Sequence, residues 1–209
     1  MKRLLHILAT PRGEDSRTLK VSRTFLEACR KKHNELIIDE INVSTEALPD
    51  LTYRTIQGKY ALLSGKDLDQ GQMQNWTKVI DLIERFKSAD CYLVSTPMWN
   101  FGLPYTLKHF IDVILQPRYT FRYTEKGPEG LVTGKKMLIV TSRGGDYGPE
   151  SPLHSMDMLE PYLCQAFNFI GITDITFINA QPMDALGPEV QKEKIQQAQE
   201  LARKLAEKF

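Results

Sequence analysis

The amino-acid sequence predicts an α/β protein built on a five-stranded, doubly wound parallel sheet with helices on both faces. Three observations carry that expectation. Five short apolar runs alternate with helical patterns along the chain, as successive strand–helix–strand crossovers do. Each run is four to eight residues long and bounded by turn residues, which reads as a buried strand. The length of 209 residues fits one domain, 1–209, and folding at that size buries roughly 70% of the unfolded surface, so the core needs no staples.

Leu4–Ala9 (LLHILA) is the first strand. Arg17–Lys32 follows as a helix, because Leu19, Ser22, Phe25, Leu26 and Cys29 recur at three- and four-residue spacing. It ends in Arg30-Lys31-Lys32, the longest basic cluster, where cations favour a helix C-terminus. Leu36–Val43 (LIIDEINV) is the second strand. Residues 44–72 read as a long polar connection with an apolar patch at Ala61–Leu63, long enough to hold a further helix. Trp76, Val79, Ile80, Ile83 and Phe86 mark a helix over Met73–Lys87. Cys91–Ser95 (CYLVS) is the third strand, and Pro104–Leu115 is helical with a proline at its start. Residues 116–133 read as an irregular insertion headed by Tyr119–Tyr123 (YTFRY), with a turn from Gly127 to Gly130. Lys136–Thr141 (KMLIVT) is the fourth strand, Met156–Ile170 a helix and Ile175–Asn179 (ITFIN) the fifth strand. Pro188–Lys208 closes the chain as a helix carrying Ile195, Ala198, Leu201, Ala202 and Leu205.

Charge and composition exclude several classes. Lys+Arg number 27 and Asp+Glu 26, and a net charge of +1 gives no reason to expect a nucleic acid or an anionic membrane. Cys29, Cys91 and Cys164 are far apart and odd in number, which reads as reduced structural thiols in a cytoplasmic protein. No CxxC pair exists, and His6, His33, His109 and His154 never fall at i, i+4, so no metal site is expected. No run approaches the ~18 apolar residues of a transmembrane helix. The Leu4–Ala9 run behind Met1-Lys2-Arg3 is too short for a signal peptide, and Pro11-Arg12-Gly13 follows it.

The chemistry lies in three loops that follow strands. Thr10–Thr18 ends at a helix N-terminus, whose free N–H groups and positive dipole can hold a phosphate. Ser16 and Thr18 add hydroxyls and Arg17 adds charge. Alone, this loop reads equally as an ordinary cap by Asp15 or Ser16. Thr96–Gly102 sets Met98, Trp99, Asn100 and Phe101 in a turn bounded by Pro97 and Gly102. Those three large apolar residues suit a flat, partly polar heterocycle, or else they are core. Ser142–Gly148 contains Gly144-Gly145, which permits close approach of backbone to a ligand, or is a plain turn. In the flavodoxin-like strand order 2-1-3-4-5 the strands before these loops are neighbours, so the loops converge on one crevice. A phosphate site, an aromatic plane and an open backbone together fit a flavin mononucleotide. Neither G-x-G-x-x-G nor G-x-x-x-x-G-K-[ST] occurs, which disfavours a dinucleotide or P-loop site.

Thr10 with Ser16-Arg17-Thr18, Pro97-Met98-Trp99-Asn100-Phe101, Leu107-Lys108, Thr120–Tyr123, Gly127–Lys135, Ser142-Arg143-Gly144-Gly145 and Gly171–Asp174 together resemble the FMN-dependent azoreductases, also called FMN-dependent NADH:quinone oxidoreductases. The resemblance runs from about Leu4 to Gln181. It implies a homodimeric flavodoxin-like enzyme with one FMN per subunit. NADH or NADPH would reduce the flavin, which would then reduce a quinone or an azo compound. On the same resemblance, Thr10, Ser16, Arg17 and Thr18 hold the ribityl phosphate. Met98, Trp99, Asn100 and Phe101 bind the isoalloxazine, and Ser142, Arg143, Gly144 and Gly145 its pyrimidine side. Thr10 stands where the family pattern has serine, Trp99 stands where tyrosine is frequent, and 44–72 matches no family pattern.

No acid–base residue is assigned, since the cofactor carries the hydride chemistry and the protein supplies orientation and electrostatics. Backbone N–H groups near Asn100 and Gly144–Gly145 could stabilise charge on the reduced ring. Phe121 and Phe169 are candidates for the acceptor cavity across a dimer, although Phe169 lies on an apolar helix and packs better in the core. Two other classes compete: a non-enzymatic electron carrier of the flavodoxin type, and an NADPH-dependent FMN reductase.

Overall fold

Apolar runs bounded by turns become strands, and the patterned segments between them become helices. The computed structural model describes residues 2–209. β1 (Arg3–Leu8) leads through α1 (Arg17–Lys32) to β2 (Ile37–Asn42), then α2 (Tyr53–Leu63) and α3 (Gln70–Lys87). β3 (Cys91–Pro97) and α4 (Tyr105–Ile114) precede a hairpin of β4 (Phe121–Thr124) and β5 (Gly127–Gly130). β6 (Lys136–Ser142), α5 (Leu159–Phe169), β7 (Asp174–Ala180) and α6 (Gly187–Ala206) complete the chain. The main sheet is parallel with order β2-β1-β3-β6-β7, which is the expected 2-1-3-4-5 once the hairpin strands take their numbers.

Side chains alternate across this sheet with a period of two. Leu5, Ile7, Tyr92, Val94, Met137 and Ile139 enter a layer with α3, α4 and α5. Leu4, Leu93, Leu138 and Val140 enter the opposite layer with α1 and α6. Both faces are thus covered, as an all-parallel sheet requires.

Residues 44–72 hold the further helix that their length allowed, α2, capped by Thr52, whose side chain accepts from the Thr55 N–H; three other expectations need correction. α2 turns only Thr55, Gly58 and Leu62 inward, so no apolar stripe marks it. A Cβ on Gly58 would lie 2.3 Å from Nε1 of Trp76, and that Nε1–H donates to the Thr55 carbonyl at 3.0 Å. α3 starts at Gln70 rather than Met73, because Asp69 and Gln72 form a reciprocal capping box. The 116–133 insertion is partly regular: Arg122 pairs with Glu129 across the hairpin, and Gly130 presses so close to Gly171 that a Cβ would lie 2.2 Å from its nitrogen. The helix expected over Met156–Ile170 is split into a short turn at His154–Met156 and α5.

Candidate functional site

The three loops meet at the carboxyl edge of β1, β3 and β6, and Ser142 joins them. Its carbonyl accepts from the Met98 N–H at 2.9 Å, and its hydroxyl is 2.8 Å from that of Thr18. The start of α1 is ordered by Ser16, whose buried hydroxyl accepts from the Leu19 N–H at 3.3 Å and from the Thr10 hydroxyl at 3.2 Å. Ser16 is therefore the N-cap, as the plainer reading of this loop held, and it also lines a cavity. Arg17 donates to Asp184 at 2.6 Å across the rim. First-turn N–H groups of a helix have no acceptor within it, so Arg17 and Thr18 bring a positive dipole and donors to the same place.

The second loop is a two-residue turn. The Trp99 N–H donates to the Gly102 carbonyl at 2.9 Å, and the Gly102 N–H returns to Trp99 at 3.0 Å. Between them Asn100 and Phe101 both have positive φ, 47° and 70°. This is the geometry of a type I′ turn, which ordinarily uses Asn-Gly. A phenylalanine held left-handed costs roughly 1–2 kcal/mol. The turn leaves Trp99 39% and Phe101 44% exposed, so the core reading of these aromatics is excluded. The Phe101 carbonyl accepts from the Met158 N–H at 2.9 Å, which ties the turn to the approach to α5.

A cavity of about 160 Å³ lies where the loops meet. Thr10, Ser16, Arg17, Thr18, Pro97, Met98, Trp99, Ser142, Arg143 and Gly144 line it, together with Arg12, Met183 and Asp184, which the sequence did not single out. Asn100, Phe101 and Gly145 are outside the lining. The first two stand on the exposed turn beside it. Gly145 faces elsewhere: a Cβ there would meet Leu153 at 3.2 Å and the Tyr147 ring at 3.4 Å. Gly144 is not in the left-handed region, and a Cβ on it would meet only the Asp184 carboxylate, at 3.1 Å.

Arg143 differs most from expectation. Its side chain is 1% exposed and donates to Asp157 at 2.6 Å, to Glu160 at 3.1 Å and to the Thr141 hydroxyl at 3.0 Å. The guanidinium is thus committed to the interior, and only the Arg143 backbone is on offer to a ligand. Asp157 also accepts from the N–H groups of Leu159 and Glu160 and so caps α5. The D-x-x-E spacing of Asp157 and Glu160 ahead of an apolar helix was the readable signal for this joint. Phe121 is also corrected: it is buried, with its ring centroid 4.7 Å from that of Phe169, so the pair packs the hairpin onto α5.

The donor set suits a flavin mononucleotide. A helix start with two hydroxyls and a guanidinium matches a phosphate, and an exposed indole and phenyl beside it match a flat ring. Pockets that engulf a whole ligand run to roughly 300–1,000 Å³, so this smaller cavity has room for a phosphate group rather than for a whole nucleotide.

A family model described as flavodoxin-like fold matches residues 2–206. An FMN-dependent NADH:quinone oxidoreductase of Nitratidesulfovibrio vulgaris (strain DP4) is 36% identical over 209 residues, covering 100% of both chains. An azoreductase from Bacillus anthracis str. Sterne superposes with a TM-score of 0.90 at 28% identity, again over 100% of both chains. An FMN-dependent NADH-azoreductase from Bacillus anthracis str. Ames Ancestor, solved in complex with FMN, gives 0.85 at 31% identity and covers 99% of this chain and 100% of that one. Matched along its length in sequence and in backbone, the chain belongs to the flavodoxin-like fold family, together with the FMN-dependent NADH:quinone oxidoreductases.

Proposed function

We propose that this protein is an FMN-dependent oxidoreductase that passes two electrons from NADH or NADPH to quinones and reductively cleaves aromatic azo compounds. The observation that carries the reading is the meeting of an anion-binding helix start and an exposed aromatic turn on Ser142. The names of the relatives agree with it. FMN, when bound, supplies the hydride acceptor and the two-electron donor that no side chain here can provide.

The chain does the rest. Ser16 and Thr18 hydroxyls, the first-turn N–H groups of α1 and Arg17 hold the phosphate. Asp184 competes for Arg17 and so sets how readily that contact forms. Trp99 and Phe101 give the ring an apolar face. The backbone from Ser142 to Gly144 borders the ring edge, and the buried Arg143–Asp157 pair holds that backbone in place. The names of the relatives, oxidoreductases and azoreductases, favour an enzyme over a carrier.

We also infer a homodimer and a cytoplasmic location. The apolar face of α5 and the hairpin have partners within the chain, so they do not require a second copy. Support comes instead from exposed apolar side chains, Leu153, Met156, Met158, Trp99 and Phe101, of which Met158 lines a groove of about 750 Å³ that shares Arg143 with the site. No described helix is long and apolar enough to cross a membrane. None of the three cysteines is in a disulfide, and burial pushes the thiols of Cys29 and Cys91 up to about 11 and about 12, as suits unreactive structural groups. The visible spectrum of the purified protein tests the function. Yellow colour that bleaches with NADH without air and returns with a quinone supports it; a protein that FMN cannot reconstitute refutes it. Light scattering at micromolar concentration tests the dimer, and a strict monomer refutes it.

A further inference from the structure

A line of buried polar groups runs from the sheet edge to the phosphate end of the site. His6 is 2% exposed and stands opposite Glu40 in the β1–β2 register. Its Nδ1 lies 3.2 Å from Glu40 Oε2 and its Nε2 2.7 Å from Ser95 Oγ. Ser95 Oγ lies 2.6 Å from Ser22 Oγ, which is 3.1 Å from the carbonyl of Thr18. Thr18 is in the first turn of α1, lines the cavity and bonds Ser142. Glu40, His6 and Ser95 have the order of a nucleophile triad, but Ser95 is fully buried and no substrate can reach it.

The ionised Glu40 carboxylate can only accept, so Nδ1 carries a proton in every arrangement; counting the remaining protons then leaves two, since each hydroxyl has one to donate. With neutral His6, Nδ1–H donates to the Glu40 carboxylate and bare Nε2 accepts from Ser95. Ser95 then accepts from Ser22, and the Thr18 carbonyl receives nothing from the line. With protonated His6, Nε2–H donates to Ser95, Ser95 donates to Ser22, and Ser22 donates to the Thr18 carbonyl. The proton comes from solvent past Glu40, whose side chain is 54% exposed.

We propose that His6 is a positioning residue for the cofactor phosphate: protonating its ring reverses the Ser95–Ser22 hydroxyls, pins the first turn of α1 through the Thr18 carbonyl, and strengthens phosphate binding. The proposal rests on reading the start of α1 as the phosphate site. It adds a distant group that sets how firmly that turn is held. The added cation also favours an anion at the end of the line.

The charged groups around His6 are Glu40 on β2 and Arg23 on α1, with Arg23 itself tied to Glu14; β3 presents only Ser95. Arg30 on α1 acts on Glu40. Burial holds the His6 ring below its ordinary value of 6.5; the Glu40 hydrogen bond and charge oppose this, and Arg23 adds to the lowering. The step therefore falls on the acid side of neutral. By linkage, bound FMN must raise the His6 pKa by the same factor that protonation raises FMN affinity.

The test is titration of the apoprotein with FMN by flavin fluorescence, from about pH 5 to pH 8, for wild type and Ser22→Ala. Titration of the FMN phosphate itself is common to both and cancels. Wild type is expected to gain about three- to tenfold more affinity on acidification than Ser22→Ala, the worth of one hydrogen bond. The NMR titration of His6 should move to higher pH when FMN is added. Coincident pH profiles, or a His6 titration unmoved by FMN, overturn the proposal. Riboflavin, which lacks the phosphate, distinguishes the phosphate site from the His6 line. If it binds as tightly as FMN, the phosphate-site reading and this proposal both fail. If FMN is strongly preferred while the two profiles coincide, only the His6 line fails. Should Ser22→Ala not fold, Glu40→Gln at the solvent end serves: removing the carboxylate must move the affinity step to lower pH, and an unmoved step counts against the line.

Discussion

The two layers that sandwich the sheet are built differently. The α3–α4–α5 layer is large and aromatic: Trp76, Phe86, Tyr92, Phe110, Phe121 and Phe167 are buried in it, and Phe86 stacks on Tyr92 at 4.5 Å. Its buried ion pair, Arg143–Asp157, lies at the carboxyl rim. The α1–α6 layer is thinner and aliphatic, with Phe25 its one fully buried aromatic among the described residues. Uncharged hydroxyls run through that layer's interior beside His6. The first layer holds the molecule together, while the second carries the helix whose N-terminus meets the ligand. Burying polar groups costs stability unless each finds a partner, so a line of them fits the layer that does less of the holding.

The largest expected effect sharpens this division. Trp76→Ala removes the largest fully buried side chain of the aromatic layer and should cost about 3–5 kcal/mol of stability, read from urea midpoints. FMN affinity of the molecules that remain folded should stay put. A loss below about 1 kcal/mol would show that the layer does not dominate stability.

Asp157→Ala comes next and tests the rim. It leaves the Arg143 guanidinium buried with Glu160 and Thr141 alone, and breaking such a pair costs about 3 kcal/mol. Here FMN affinity should fall as well, because the same segment holds the Phe101 carbonyl. Stability lost with affinity intact would show that the pair does not position the loops.

Phe101→Gly should separate stability from binding. Relief of the left-handed backbone should add about 1 kcal/mol to the apoprotein, while loss of the ring should weaken FMN about tenfold. A variant that is both less stable and unchanged in affinity would return Phe101 to the core.

The gentlest effect is a slope with pH in the α1–α6 layer. The folded pKa of His6 is depressed, so below pH 6.5 the unfolded chain binds the proton more readily than the native one. Apoprotein stability should therefore be full above that pH and decline as pH falls toward the folded pKa. His6→Gln should flatten the decline, and FMN should recover part of it. A rise in stability on acidification would mean that Glu40, not burial, governs the ring.

Much of this was legible in the sequence, for identifiable reasons. The strands follow from apolar runs such as LLHILA and KMLIVT, their order from the flavodoxin-like arrangement of such strands, and the site from which loops then end neighbouring strands. α2 was hidden because it packs with Thr55 and Gly58, where periodicity shows nothing. The hairpin was hidden because Gly-Pro-Glu-Gly has no strand propensity and forms β5 only against β4. Arg143 read as a ligand contact because its partners lie 14 and 17 residues away. His6 read as one more member of an apolar strand, and its meaning depends on Ser95, 89 residues away.

Ser142 also has a consequence for how the molecule assembles. Its hydrogen bond to Thr18 spans 124 residues, and its bond to Met98 needs β3 and β6 already in register. Long-range parallel pairings close slowly. The crevice is therefore among the last parts of the chain to mature. Flavin capture during refolding should lag the recovery of helical signal and report the moment when three distant strands come together.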